Sequence, residues 1–253
     1  MDRNVRIAKR TVFIVAMATV SALACLTKAT PLGSIEMNKI GYGAESTICV
    51  WGASLDGISF YGGVYLFNKT GGTSQGTIWP NGLIATFCFE PPEEAPTGTT
   101  TYDVVLPEQA PQPTDFLGGP IGFEKAEYIR ELWGRFFDAA WANGGPFTSQ
   151  QNSYAAAFAA AIWEIVYEGL PPSPLAWDVT VDGTPGDLGL RCWTEGAATA
   201  NDWLHALDGT GPEADLRVFI SEGNQDYIIQ VPEPVTIALL GLGSLGLLRK
   251  RRA

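Results

Sequence analysis

The chain has 253 residues, of which 46% are hydrophobic, and its 16 Lys and Arg against 27 Asp and Glu give a net charge of −11. The acidic excess lies between residues 30 and 231, which hold 7 basic and 25 acidic residues, a net charge of −18 with the histidine neutral. Because nucleic-acid binding needs a basic footprint, this balance excludes nucleic acid as a partner. About 200 residues are enough for one domain, or two small ones, with a hydrophobic core.

Residues 1–29 have the organisation of a secretory signal peptide. A basic start is followed by a short, mostly apolar run from Thr11 to Leu23, and Ala22 and Ala24 supply the small residues that signal peptidase requires. The run is shorter than the ~20 residues that a membrane-spanning helix needs. The sequence therefore predicts export, and the alternative of lipoprotein processing immediately before Cys25 stays open.

The first part of the body predicts β-strands. Three segments are rich in Val, Ile, Thr and aromatic residues and are interrupted by Gly, a composition typical of strands. They are TICVWGA (47–53), SFYGGVYLF (59–67) and TIWPNGLIATFCFE (77–90). The proline-rich stretch from Glu90 to Pro113 then predicts a loop with one short strand at 101–106.

The rest of the body mixes helices with strands. Apolar residues recur at steps of three and four in 123–144, which predicts a first helix. A second helix is predicted from Ser153 to Glu168, since Gly169 and Pro171 follow it. The remaining predicted elements are a third helix at 197–207 and strands at 176–181, 216–221 and 226–231. The fold class is therefore predicted as α+β, a strand-rich domain over residues 30–231 with inserted helices.

Ordinary enzyme chemistry has little support in this sequence. His205 is the only histidine, so a multi-histidine metal site is unavailable, and the glycine-rich stretches lack the lysine of a phosphate-binding loop. Glu164 and Glu168 are one helical turn apart and can pair as carboxylates. A secreted carboxylate-dependent hydrolase that uses Glu164 stays open as an alternative. We otherwise predict no catalytic residue, no metal and no cofactor.

The body contains three cysteines, Cys49, Cys88 and Cys192. In an oxidising compartment an odd number leaves at least one thiol unpaired within the chain. Cys49 and Cys192 flank the domain, and closing a loop of about 140 residues would stabilise it by several kcal/mol in the chain-entropy model. We predict a Cys49–Cys192 disulfide that leaves Cys88 reduced.

The C-terminal end combines three features in a fixed order. Val231-Pro232-Glu233-Pro234 is followed by a charge-free, largely apolar run from Val235 to Leu248 and then by Arg249-Lys250-Arg251-Arg252. Such a basic cluster stays cytoplasmic under the positive-inside rule, so the apolar run predicts a stop-transfer membrane helix. The order of the three features resembles the PEP-CTERM sorting signal of Gram-negative bacteria, with the sorting region at 232–253.

This resemblance implies two processing partners, signal peptidase and an exosortase-type sorting enzyme. The chain would be anchored in the inner membrane before processing and would then reach the cell surface or the extracellular matrix. Extracellular polysaccharide and other surface components are the contacts that such a location implies.

A second resemblance involves Cys88 and the helix that contains FAAAIWEIVYE (158–168). Phe87-Cys88-Phe89-Glu90 is followed by the proline-rich loop, an amphipathic helix, and then a helix with Ala161-Ile162-Trp163-Glu164. This order is similar to that of the thioester domains of bacterial surface proteins. In those domains a cysteine thiolate attacks the carboxamide of a helix glutamine, expels ammonia and leaves an internal thioester.

The glutamine of the thioester family falls on position 159, where this chain has Ala159. Gln150 and Gln151 are about 12–13 Å earlier along the helix, too far to substitute without a large rearrangement. The resemblance therefore implies a degenerate thioester domain with a non-enzymatic structural or adhesive role. The alternative of a covalent adhesin, in which Cys88 forms the thioester with another glutamine, stays open.

Overall fold

The computed structural model describes residues 29–112, 117–182 and 189–233. Within them the strands are β1 Gly33–Gly52, β2 Leu55–Ser74, β3 Gly82–Cys88, β4 Thr100–Val105, β5 Leu190–Trp193, β6 Leu216–Ser221 and β7 Asn224–Gln230. The α-helices are α1 Phe123–Phe136, α2 Ser149–Tyr167 and α3 Ala197–His205. The strand-rich α+β class predicted from the sequence is confirmed. The predicted signal peptide up to residue 28, the apolar run and the basic cluster lie outside the described residues.

The strands form one antiparallel sheet in the order β2-β3-β7-β6-β4-β1-β5. β1 also pairs with β2, so the first six strands of this order close into a ring. The 20-residue length of β1 makes this closure possible, because its two ends serve different neighbours. Gly33–Met37 pairs with β4 and Cys49–Gly52 pairs with β5, while the opposite edge pairs with β2.

A two-residue turn, Ala53-Ser54, joins β1 to β2. Both residues have positive φ angles, 47° and 67°, as a type I′ hairpin turn requires. Asn-Gly or Asp-Gly is the usual sequence signal for this turn, and neither residue here gives it. The two strands were therefore predicted separately and too short, whereas the structure has one continuous hairpin.

Tyrosine and phenylalanine side chains pack inside the ring. The ring of Tyr227 lies 5.5 Å from that of Tyr65, 4.7 Å from Phe67 and 5.9 Å from Tyr102, measured between centroids. On the other face of the sheet, Phe87 packs against Phe158 of α2 at 4.9 Å. Since successive strand residues point to opposite faces, the sheet has one face toward the ring interior and one toward the helices.

Helix α2 is the central helix of the fold. Thr148 and Gln151 form a capping box at its N-terminus, which is why it begins at Ser149, four residues before the predicted start. Every residue from Ala155 to Tyr167 is buried. A helix that is apolar all round is expected in a core, and α2 indeed packs between β1 and β2 on one side and α1 and α3 on the other.

Three further predicted elements were wrong in extent or type. The segment 176–181 is not a strand, because the Asp178 carboxylate accepts hydrogen bonds from the Thr180 backbone N–H and hydroxyl and forms a turn. The strand predicted at 77–90 begins only at Gly82, after a 3-10 turn. The first helix ends at Phe136, where Asp138 caps a separate 3-10 turn.

A buried carboxylate fixes the loop between α3 and β6 to helix α1. The side chain of Glu131 is 2% exposed and accepts hydrogen bonds from the backbone N–H groups of Gly209 at 2.8 Å and Gly211 at 3.0 Å. Arg135 adds an ion pair at 2.7 Å. A Cβ at Gly211 would lie 2.7 Å from the Glu131 carboxylate, so the loop approaches closely only because that residue is glycine.

We expect Glu131→Gln to lower the free energy of unfolding by about 3 kcal/mol, since it removes a buried charge that holds an arginine and backbone donors. Glu127→Gln is the matched control on the same helix, because Glu127 pairs only with Arg130 and its side chain is 34% exposed. That control should cost less than about 1 kcal/mol. Chemical denaturation of both variants measures the difference, and equal losses would contradict a structural role for Glu131.

Candidate functional site: Cys88 and the acidic cavity

Cys88 is the last residue of β3 and pairs with Tyr227 of β7. Phe87 points toward α2, so alternation along the strand turns the Cys88 side chain to the face that it shares with Tyr227. The ladder continues one residue further through a hydrogen bond from the Phe89 N–H to the Asp226 carbonyl, at 2.8 Å. The register of β3 against β7 therefore determines where the thiol lies.

Trp163 joins helix α2 to the end of β3. Its indole Nε1 donates a hydrogen bond of 3.1 Å to the carbonyl oxygen of Cys88, and both residues are fully buried. The aromatic positions of the FAAAIWEIVYE stretch thus contact the cysteine segment directly, with Phe158 on Phe87 and Trp163 on Cys88. This contact between the two segments is the part of the predicted site that the structure brings together.

The Cys88 thiol lies in an environment that keeps it protonated. Burial raises its pKa well above the usual value, and the nearby Glu90 carboxylate raises that pKa further. Hydrogen bonds from the Trp163 side chain and the Glu90 backbone oppose this rise without cancelling it. Since the thiolate is the nucleophilic form of cysteine, the site as it stands does not favour attack by Cys88.

Position 159 has a different neighbour. Ala159 is fully buried on α2, and a Cβ added to Gly62 of β2 would lie 3.7 Å from the Ala159 Cβ. Ala159 therefore packs over β2, and Trp163 is the α2 side chain that reaches Cys88.

The two alternative glutamines of α2 are engaged at its N-terminus. Gln151 completes the capping box with Thr148, and the Gln150 side chain donates to the Tyr154 hydroxyl at 3.1 Å. Both are thus held two turns of helix before position 159. They remain unsuitable as acyl donors to Cys88.

Glu164 and Glu168 are close together, as their spacing predicts, but each serves the fold. Glu164 is buried and accepts a hydrogen bond of 2.9 Å from the Asp178 N–H, and Glu168 accepts one of 2.9 Å from the Leu190 N–H. Burial and the neighbouring carboxylate raise the pKa of Glu164 to about 9, and burial raises that of Glu168 to about 7. These contacts hold the loop after α2 and the start of β5, and the hydrolase alternative stays a prediction.

The structure contains Cys49, Cys88 and Cys192 as free thiols, so the predicted Cys49–Cys192 disulfide is not formed there. The two residues are near one another, because β1 pairs with β5. However, Cys49 pairs with Trp193 and Cys192 pairs with Val50, so the two side chains leave opposite faces of the sheet. Cys192 is buried beside Val50, while Cys49 donates a hydrogen bond to the Gly57 carbonyl at 3.2 Å.

A cavity near Cys88 collects carboxylates that sequence reasoning did not group. It has a volume of about 670 Å³ and lies among the β1–β2 turn, the β6–β7 turn and the C-terminal end of α2. We call it the acidic cavity; the titratable residues that line it are Glu90, Glu93, Asp103, Tyr167, Glu222 and Asp226. Glu90 ends the first motif that the sequence analysis identified, and Tyr167 is the next-to-last residue of the second. The strand pairing that adds Asp103, Glu222 and Asp226 leaves no local signal in the sequence.

The sorting motif begins directly after β7. The Val231 N–H donates a hydrogen bond of 2.8 Å to the Asp215 carbonyl, which ends the strand pairing. Pro232 and Glu233 are exposed, and Pro234 lies outside the described residues. The visible part of the motif is therefore accessible from the surface of the domain.

Residues 230–252 match the family model described as the PEP-CTERM protein-sorting motif. This match confirms the sorting signal predicted from the tail and supports an exosortase-sorted protein. No curated protein and no solved structure matches the chain. The thioester-domain resemblance of the body accordingly stays a prediction.

Membrane-spanning helices and metal sites are both absent from the part of the chain that the structure describes. None of the helices there is long and apolar enough to cross a membrane, and the membrane helix predicted at 235–248 falls outside them. No group of three or more His, Cys, Asp or Glu side chains in 29–112, 117–182 and 189–233 is arranged to hold a metal ion.

The thiols should differ in reactivity. We expect iodoacetamide to label Cys49 at least about tenfold faster than Cys88 and Cys192 in the folded protein, because burial removes both access and thiolate character at the latter two. Peptide mapping by mass spectrometry measures the three rates, and denaturant serves as the control that should equalise them. Rapid labelling of Cys88 would show that its thiol is activated. A disulfide-linked peptide pair that contains Cys49 and Cys192, detected without reducing agent, would show that the predicted disulfide forms.

Proposed function

We propose that this chain is an exported protein that an exosortase-type enzyme sorts to the cell surface or the extracellular matrix of a Gram-negative bacterium. The observation that carries the proposal is the PEP-CTERM match at 230–252, which starts where the folded body ends. Exposure of Pro232 and Glu233 supports it, since a processing enzyme needs an extended, accessible segment. Signal peptidase and the inner membrane are the other partners in this proposal.

The body, in this proposal, has a non-enzymatic structural or adhesive role. The support is chemical: the Cys88 thiol is buried with a raised pKa, position 159 offers no carboxamide, and Glu164 and Glu168 are bonded to the backbone of neighbouring loops. We propose that the domain resembles a thioester domain in its order of elements and has lost the bond. Contact with extracellular polysaccharide or other surface components belongs to the same proposal.

Processing should remove the basic cluster from the mature protein. We expect the protein isolated from its native cell to lack Arg249–Arg252, because cleavage at or near Pro232-Glu233-Pro234 separates them from the body. C-terminal peptide mapping measures this, and a variant with Pro232 and Pro234 replaced by alanine should retain the cluster. Glu195→Ala, an exposed change far from the tail in sequence, is the control that should still be processed. A native protein that retains the cluster would instead be held by a simple C-terminal anchor.

The denatured protein should show no loss of ammonia. We expect its intact mass to equal the mass calculated for its processed sequence, whereas an internal thioester would lower that mass by about 17 Da and would react with methylamine. Ala159→Gln must fit a side chain into a fully buried site, so it should lower stability by about 1–3 kcal/mol. Loss of ammonia in Ala159→Gln alone would show that a carboxamide at 159 reaches Cys88. Loss in the wild type that Cys88→Ala abolishes would overturn the degenerate-site proposal and favour the covalent adhesin.

A further inference from the structure

The acidic cavity contains negative charge without a counter-charge. Its lining includes five carboxyl groups, and no Lys, Arg or His is among the described residues that line it. Burial and the neighbouring Glu93 raise the pKa of Glu90 to about 7, and burial and Glu90 raise that of Asp226 to about 9. These shifts are expected of carboxylates that are gathered together and lack a cation.

Two buried side chains present unused polar atoms to this cavity. Tyr167 is 2% exposed and lines it, yet its hydroxyl has no hydrogen-bond partner among the described residues. Asp226 is 3% exposed, and only its Oδ1 is occupied, by the Ser221 N–H at 2.9 Å. Among the described residues that line the cavity, Glu93 Oε2 is a buried oxygen with no hydrogen-bond partner. Buried polar atoms in proteins are almost always satisfied, so this oxygen, beside the two free oxygens that face the cavity, points to a ligand that supplies hydrogen-bond donors.

The chemistry of that ligand follows from the lining. A small metal ion needs several oxygens converging at 2.0–2.6 Å, and the described residues contain no such convergent group. An ammonium group is larger, carries three N–H donors and a positive charge, and can bridge acceptors that are spread over a wider cavity. The carboxylates would balance its charge, and the free oxygens of Tyr167 and Asp226 would accept its donors.

We propose that the acidic cavity binds the primary ammonium group of a small organic amine. The inference stands on the cavity and does not depend on sorting or on the state of Cys88. Binding places the ammonium between the Asp226 and Glu93 carboxylates and within reach of the Tyr167 hydroxyl. Because it stabilises the ionised carboxylates, it releases protons from Glu90 and Asp226 near neutral pH.

A second cavity suggests one source of the amine. It has a volume of about 510 Å³, shares Glu93 with the acidic cavity, and is lined by the rings of Tyr42, Tyr61 and Tyr65. Tyr61 is 52% exposed, and an exposed aromatic face can pack against the apolar face of a sugar ring. An unacetylated amino sugar therefore fits both cavities, whereas a polyamine would use the acidic cavity alone.

Calorimetric titration of the full chain in detergent at low salt tests the proposal. The probes are the β-1,4-linked glucosamine disaccharide, its N-acetylated counterpart and spermidine. We expect the glucosamine disaccharide to bind at one site and the acetylated form not to bind, because acetylation removes the charge. Asp226→Asn and Glu93→Gln should each weaken binding at least about tenfold by removing a buried charge partner, and Tyr167→Phe should weaken it about three- to tenfold by removing one acceptor.

Glu195→Gln is the matched control, because it removes the same charge from an exposed site that does not line the cavity, and it should change binding less than about twofold. If Asp226→Asn does not fold, as monitored by circular dichroism, Glu93→Gln and Tyr167→Phe still carry the test. Tighter binding of the disaccharide identifies an amino sugar, and tighter binding of spermidine identifies a polyamine; either result supports the ammonium site. Absence of binding by both amines, equal binding of the acetylated form, or an equal effect of Glu195→Gln would overturn the proposal.

Discussion

The double pairing of β1 is the constraint on which the rest of the structure depends. One edge of this strand pairs with β2, and the other edge pairs first with β4 and later with β5. The two ends of β1 are hydrogen-bonded on both sides, and the pairing with both β2 and β4 closes the six-stranded ring. The interior of the ring can then be filled by the packed rings of Tyr65, Phe67, Tyr102 and Tyr227.

Ring closure fixes the alternation of side chains in every strand. In β3 it turns Phe87 toward α2 and Cys88 toward Tyr227. In β7 it turns Gln230 toward α1, where the Gln230 side chain accepts a hydrogen bond of 3.1 Å from the Trp133 indole. A shift of one residue would exchange the two faces. The position of the Cys88 thiol is therefore a consequence of the β3–β7 register. The hydrogen bond from the Trp163 indole holds the end of β3 against α2.

Four buried or half-buried carboxylates of the domain fall into two physical classes. Glu131 and Glu168 accept backbone N–H bonds and hold loops to helices, so their role is in the fold. Glu90 and Asp226 line an open cavity and have pKa values of about 7 and about 9. Because their surroundings destabilise the ionised form, Glu90 and Asp226 lower the stability of the fold slightly. A cation bound in the cavity would offset this loss.

The sequence by itself determined the features that depend on local pattern. It predicted the helix that contains FAAAIWEIVYE, the strands at 216–221 and 226–231, the strand-rich α+β class and the sorting signal that matches at 230–252. Each of these is a contiguous pattern of polarity, propensity or motif order. The thioester resemblance also grouped Cys88 with the helix that contains Trp163, and the Trp163 indole donates a hydrogen bond to the Cys88 carbonyl; the resemblance itself stays a prediction.

Only the tertiary structure decided the rest, because those features depend on residues that are far apart in the chain. The Ala53-Ser54 turn lacks the usual sequence signal of a hairpin turn, so the sequence did not predict the β1–β2 hairpin. Its length is determined by the pairing of β1 with β2 along both strands. The side chains of Cys49 and Cys192 point to opposite faces of the sheet because of the β1–β5 register. The separation of the two cysteines in the sequence does not reveal this. The acidic cavity joins Glu90, Asp103 and Asp226 through the contiguous pairing β3-β7-β6-β4, which places side by side strands that are far apart in the chain.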